Sequence, residues 1–481
     1  MFLYNKCLSL NQNILKRQIF KQLKKMDSLR HFQTFAWCKP DWCYPSMGKQ
    51  TNELLRQCTE LPAVKLSDDV EEIIKKSKAF PISFPIETVR LEKLQVRRSI
   101  EKLKRNIIST YPLIHERVLL LMTHFLIYKR EFGTSIEKLL YKEMTVPELI
   151  DRILKKRAIT FMGRHDTYKL ITGEEGNGGW ETVGTLQQKP PLVLENCLSY
   201  DEMKLASMVY ISGYTECIND GERTNSGVVK EENAEEDAII IGLIGPRFQR
   251  ANRMEYEDII ITDQQNSLEN GYGEEVTPTT CLNVLKTTYV RNNQSAKHMW
   301  RQIWSEFYQV HSYTYEELTS YVNIQDKSEE KRYTDRYVKT NNNFIFDNEV
   351  YYKRLCVLAE VALLESEHRA KEAGTFAFLN VIGCGGINVQ LENRQPSSKL
   401  SGEHAGKLLV ITYPWDGNAH PGNEFWLGSL KTSGDPAAAC STQVSELHNA
   451  HINPAVCGHN TRVTGRYGLK TLKEYAAALT T

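Results

Sequence analysis

The chain has 481 residues, about three times the size of a common single domain, so two or three domains are expected. Hydrophobic residues make up 41% and charged residues 25%, ordinary globular values that exclude wholesale disorder. With 60 Lys and Arg against 59 Asp and Glu, the net charge of +1 supplies no field to concentrate a polyanion, so nucleic acid is not an expected partner.

In chain order, residues 1–30 read as a basic leader or tail. Lys6, Lys16, Arg17, Lys21, Lys24 and Lys25 are interleaved with Leu10, Ile14, Leu15, Ile19, Phe20 and Leu23, with no acid before Asp27. That is the profile of a mitochondrial presequence, and a solvated basic helix would look the same. Residues 31–157 read as a helical domain, because apolar residues recur at three and four from Lys49 to Lys156. Asp68 with Glu71 and Thr145 with Glu148 make capping-box starts, the second with Pro147 in the first turn. The apolar run from Val118 to Tyr128 is far shorter than the roughly 20 residues that cross a bilayer and reads as a buried helix, so no membrane association is expected.

At Ala158 the texture changes to AITFMGRHDTYKLI followed by a glycine-rich loop, which reads as strands and turns opening a second domain over 158–280. Strand-like runs follow at Ala206 to Ser212, Ile239 to Ile244 and Asp258 to Thr262, while the acidic segment Lys230 to Asp237 reads as a solvated loop. Residues 281–481 read as a helical segment, with Trp300, Trp304 and Phe307 as a core stripe, and an α/β unit packed on it. That unit holds FAFLNVIGCGGINV, then KLLVITYPWDGNAHPGNEFWLGS, then a helix opened by Asp435 and Pro436. The fold class expected is therefore α+β to α/β: a helical N-terminal domain, a mixed-sheet domain and a smaller α/β unit. Eleven scattered cysteines suit a reducing, intracellular and cytoplasmic setting, with mitochondria as the alternative raised by the leader.

The most informative stretch for chemistry is RMEYEDIIIT. If it is a strand, Glu255 and Glu257 lie two apart and share a face. Adjacent carboxylates repel unless a cation or a cationic transition state sits between them. Glycosyl chemistry supplies such a state, because its oxocarbenium-like sugar is stabilised by a fixed carboxylate.

With those acids, FMGRHDTY and YISGYT, the chain resembles the ADP-ribosyltransferase superfamily. The resemblance implies that Arg164 or His165 engages NAD and that Ser212 or Thr215 helps shape the nicotinamide pocket. It implies that Glu257 stabilises the ribosyl cation and that Glu255 activates the acceptor, an arginine in many Glu-x-Glu members. NAD would be the substrate, an acceptor protein the partner, and no metal would be needed. Ser-Gly-Tyr-Thr departs from the family's Ser-Thr-Ser, and Asp258 stands where an apolar residue is usual, which leaves open which acid faces the sugar. FMGRHD, SYDEM, GPRFQR, GYG, PGNEFW, SGDPAAACST and ELHNAHINP are together similar to a large uncharacterised family of intracellular bacteria and some eukaryotes.

A competing expectation is a non-catalytic, macrodomain-like module for NAD or ADP-ribose, or a degenerate transferase scaffold. Its site would use Gly383, Gly385 and Gly386 after one strand. Asp416, Asn418, Asn423 and Glu424 would contribute after the next, where open α/β sheets bind ligands. His448, His451, His459 and Cys457 match no zinc spacing and read as structural.

Overall fold

The computed structural model describes residues 37, 42–85, 89–217, 234–273, 284–321, 335–340, 344–381, 400–414, 421–429, 439 and 442–481. The basic leader, Asp435 and Pro436 lie outside them. The fold is mixed α and β, and the chain divides into two compact units, Met1–Ser46 with Glu255–Glu360 and Met47–Met254 with Val361–Thr481. No helix among the described residues is long and apolar enough to cross a membrane.

The larger unit is organised by a seven-stranded sheet. Its strands are β1 (Tyr111–His115), β5 (Tyr210–Cys217), β6 (Glu235–Leu243), β10 (Ala377–Asn380), β11 (Leu408–Pro414), β12 (Arg462–Thr464) and β13 (Lys470–Thr471), in the order β10-β11-β6-β5-β1-β12-β13. The pairings make β10, β11, β6, β1 and β12 run one way, with β5 and β13 antiparallel to them. The carboxyl ends of five strands therefore gather at one edge. The same unit holds a small antiparallel sheet of β2 (Thr160–Met162), β3 (Thr167–Lys169) and β4 (Glu175–Asn177).

Local chemistry explains much of the helical part. Thr145 caps the helix Val146–Lys155 in a full capping box with Glu148, and Pro147 sits in its first turn, as the spacing predicts. The apolar run after Val118 is the buried helix Glu116–Phe132. Asp69, rather than Asp68, caps Val70–Lys78 by accepting from the amides of Glu71 and Glu72. The stretch read as helical also contributes β1, whose five residues are all buried on both faces and so show no alternation. Residues 235–237, read as part of a solvated loop, begin β6.

Gly213 of YISGYT is a packing requirement: a Cβ there would meet the Thr110 hydroxyl at 2.4 Å. Nearby, Glu365 accepts from the hydroxyls of Tyr111 (3.0 Å) and Ser212 (2.5 Å) and from Nε of Arg369 (2.7 Å), so a buried carboxylate is neutralised and saturated beneath the sheet.

Burial pushes the His448 imidazole down to about 3, with the Arg369 guanidinium adding to the effect. In the unfolded chain it returns toward 6.5, so above that pH the ring is neutral in both states and its contribution is complete. As pH falls below 6.5, only the unfolded chain takes up the proton. Stability is then expected to drop by about 1.4 kcal/mol per pH unit, continuing until the folded imidazole titrates. Urea unfolding at pH 7 and pH 5 checks this, and His448→Gln is expected to remove about 2 kcal/mol of the difference. An unchanged pH slope in the variant would refute it.

The smaller unit holds the strand order β7 (Ile260–Ile261), β9 (Ile345–Asp347), β8 (Tyr337–Lys339), the helix Val284–Tyr308 and the start of Asn348–Glu372. Trp300, Trp304 and Phe307 are buried there, as their helical spacing predicts.

Candidate active site

The described residues converge on the carboxyl edge of the large sheet. The β2–β3 hairpin turns through Gly163 and Asp166, both at positive φ. Asn423, on the short helix Asn423–Trp426 that follows β11 in the chain, grips this hairpin: its Oδ1 accepts from the Phe161 amide (2.7 Å) and its Nδ2 donates to the Phe161 carbonyl (3.0 Å). An amide side chain thus stands in for a neighbouring strand. At the turn tip, the buried Asp166 pairs with Arg250 and accepts from the Tyr200 hydroxyl. The Arg250 guanidinium lies 5.0 Å from the centre of the Phe161 ring, and that of Arg253 lies 5.7 Å from the centre of Tyr200. Arg247 donates to the Met203 carbonyl. Burial, then the bond to Asp166, holds the Tyr200 phenol above its usual range, so it stays a donor.

Tyr200 opens the helix Tyr200–Ala206, whose cap Ser199 forms a box with Glu202. Glu202 in turn receives Arg152 Nη2 at 3.0 Å, which ties the loop to the helical layer. FMGRHD, SYDEM, GPRFQR and PGNEFW are thereby drawn into one cluster, although Phe161 and Asn423 are 262 residues apart.

The carboxylates at this edge differ in what they can do. Asp166 is engaged as described. Glu116, at the end of β1, accepts from Arg466 Nε and the Tyr475 hydroxyl, each at 2.7 Å. Glu424 is half-buried and sits one residue beyond the clamp. Exposed Arg164, whose Nε donates to the His165 ring at 2.9 Å, and exposed Arg253 add positive charge suited to a diphosphate.

Of the residues expected to handle NAD, Arg164 and His165 lie on the hairpin described above, while the others occupy different settings. Ser212 is fully buried and bonded to Glu365, and the Thr215 hydroxyl accepts from the Gln443 amide (2.9 Å) within the sheet packing. Glu255 and Glu257, in the smaller unit, do not share a strand face. Glu255 precedes the helical turn Tyr256–Ile259, whose Ile259 amide bonds its carbonyl at 3.1 Å, and β7 begins only at Ile260. The turn separates the two carboxylates: Glu255 pairs with Arg354 at 3.5 Å, while Glu257 receives Arg301 (2.7 Å) and Trp300 Nε1 (2.9 Å). Gly383, Gly385, Gly386, Asp416 and Asn418 lie outside the described residues. Among the described residues, no group of three or more His, Cys, Asp or Glu is placed to hold a metal ion.

Asp166, Tyr200 and Arg250 went unrecognised as a site in the sequence, for no spacing rule joins them. The signal was present only as their membership of the recognised short stretches.

A family model described as ADP-ribosylhydrolase MavL-like matches residues 71–386 and 384–478. Two Drosophila melanogaster proteins, both named ADP-ribosylarginine hydrolase, align along 90% of this chain and 94% of their own length. One is 34% identical over 514 residues and the other 33% over 500. These matches overturn the transferase resemblance and, with it, the expected glycosyltransferase activity and NAD as substrate. A hydrolase cleaves the ADP-ribosyl bond with water, so no nicotinamide has to leave, and a hydroxide equivalent takes the place of the protein nucleophile. Matched by that model from residue 71 to 478 and by both fly proteins over nine-tenths of its length, the chain belongs to the MavL-like family of ADP-ribosylhydrolases.

Proposed function

We propose that the protein removes ADP-ribose from arginine side chains of an acceptor protein. The observation that carries this reading is the similarity, over most of both chains, to two proteins named for ADP-ribosylarginine hydrolysis. In the reaction water adds at C1 of the distal ribose and the bond from that carbon to the guanidine nitrogen breaks. The guanidine leaves with a proton, giving ADP-ribose and unmodified arginine. The transition state carries oxocarbenium character, which a nearby carboxylate stabilises while drawing a proton from the water.

The edge of the large sheet is suited to this work. Arg164, His165 and Arg253 meet the diphosphate, and Glu424 acts on water at the ribose. The clamp from Asn423 to Phe161 fixes the hairpin to the short helix that also carries Glu424, and the Arg250–Asp166–Tyr200 cluster holds the hairpin tip. Gly383, Gly385 and Gly386 follow β10 in the chain, and Asp416 and Asn418 follow β11. In open α/β sheets the segments that follow such strands are where ligands bind, which keeps these residues as proposed nucleotide contacts.

The test is incubation of the purified chain with a protein carrying ADP-ribose on arginine, with the products separated by chromatography. Free ADP-ribose and recovered unmodified arginine are expected. Tight ADP-ribose binding with no release under any condition would replace the enzyme by a binding module.

A further inference from the structure

The two lateral ends of the large sheet are finished differently. At one end β13 is two residues long, carries Lys470 and runs directly into the helix Leu472–Thr480, so little backbone is open to further pairing. At the other end β10 (Ala377–Asn380) is the outermost strand, paired among the described residues with β11 on one side alone. The Leu408 amide donates to the Phe376 carbonyl (2.8 Å), and Leu408 stands opposite Ala377. In a parallel pair this phase turns the backbone groups of Phe376, Phe378 and Asn380 toward β11 and those of Ala377 and Leu379 away from it. Outward N–H and C=O groups therefore line β10, with no strand beside them among the described residues.

The sequence does nothing to guard this end. From Ala373 to Val381 there is neither a charge nor a proline, the devices that commonly keep an outer strand from pairing. Phe376 is 60% exposed and Val381 is 54% exposed, one at each end of the strand, and the four residues between them are all partly exposed. Ala238 to Leu243 of the inner strand β6 are by contrast all buried. The strand is nevertheless firmly laid down. Phe378 lies 4.4 Å from the His404 ring and packs with Leu409 and Ile411 in one apolar cluster.

This strand is complementary to itself. A two-fold axis through Leu379, normal to the sheet, sets two copies of β10 antiparallel and brings outward-facing residues opposite one another. Leu379 then meets the partner's Leu379, and Ala377 meets the partner's Val381, so each directly opposed pair on that face is apolar. No like charges are brought together, because the segment has none. A charged peptide would find nothing here to select it. Since the opposite end of the sheet is short and carries a lysine, pairing closes at two copies instead of continuing into a filament.

We propose that two copies of this chain join through β10, the strands pairing antiparallel about a two-fold axis at Leu379. A strand of this length makes a small interface, so dissociation is expected in about the micromolar range. The inference stands apart from the hydrolase reading and does not need it.

The experiment is sedimentation equilibrium of the full chain up to about 200 µM, where a micromolar dimer is almost fully formed. A monomer–dimer equilibrium is expected. Leu379→Pro removes an N–H that faces the open side, a position at which an outer strand tolerates proline. Phe376→Lys with Val381→Lys places charges on the exposed ends of the strand. Each variant, shown by circular dichroism to keep wild-type structure, is expected to raise the dissociation constant by roughly tenfold or more, because symmetry removes every contact twice. Amide exchange gives a second readout: Ala377 and Leu379 of the wild type should exchange more slowly in the concentrated sample than in the dilute one. A wild type that stays monomeric throughout, species larger than a dimer, a dimer of unchanged strength in the lysine variant, or exchange at these two amides that is the same at both concentrations would each overturn the proposal.

Discussion

Glu424→Gln is expected to lower the rate of ADP-ribose release from arginine by a factor of roughly 100 to 10,000, the range that a positioned carboxylate supplies. Gln keeps the size and hydrogen-bonding reach of the side chain but can neither take a proton from water nor face a ribosyl cation with negative charge. Glu116 and Asp166 each meet an arginine and a phenol at this edge. The affinity for ADP-ribose should stay within a few-fold, because a neutral amide removes no diphosphate contact. Single-turnover release and calorimetric ADP-ribose binding, measured on the same preparations, separate these effects. A variant that retains more than about a tenth of wild-type turnover would assign the chemistry to another acid.

Arg250→Met is expected to destabilise the protein by about 3 to 5 kcal/mol, because it takes the ion-pair partner from the buried Asp166 carboxylate and leaves it, among the described residues, with the Tyr200 hydroxyl. Met retains much of the apolar contact with Phe161, so the loss reports the missing charge more than missing volume. Asp166→Asn in the Arg250→Met background should recover a large part of that loss. The double-mutant cycle is then expected to give a coupling of about 2 kcal/mol or more by urea unfolding. Additive single effects would show that the pair contributes nothing jointly. The hairpin tip carries Arg164 and His165, so the release rate should fall with the single variant and partly return in the double.

The local rules of the chain were legible where a few neighbouring residues decide the outcome. The Thr145 capping box, the buried helix after Val118, the aromatic stripe at Trp300 and Trp304 and the β6 and β11 runs all follow from periodicity and caps spanning one or two turns. The pair Glu255 and Glu257 shows where this stops. Their spacing permits both a strand face and a helical turn, and the Ile259 amide closing on the Glu255 carbonyl makes it a turn. The choice follows from how the segment packs, because short apolar runs carry no decisive period. The motif Ser-Gly-Tyr-Thr likewise reads as catalytic in isolation, whereas its glycine answers to Thr110 and its serine to Glu365.

The mixed α and β character, the helix starts and the buried spans were thus set by the sequence within short windows, since propensity, capping and periodicity are local properties. The site was decided by tertiary structure. Phe161, Asp166, Tyr200, Arg250 and Asn423 meet only because β6 and β11 run parallel in one sheet and Asn423 bonds across 262 residues to a hairpin. A sheet that aligns the carboxyl ends of distant strands brings together residues whose separation along the chain carries no information about their distance in space.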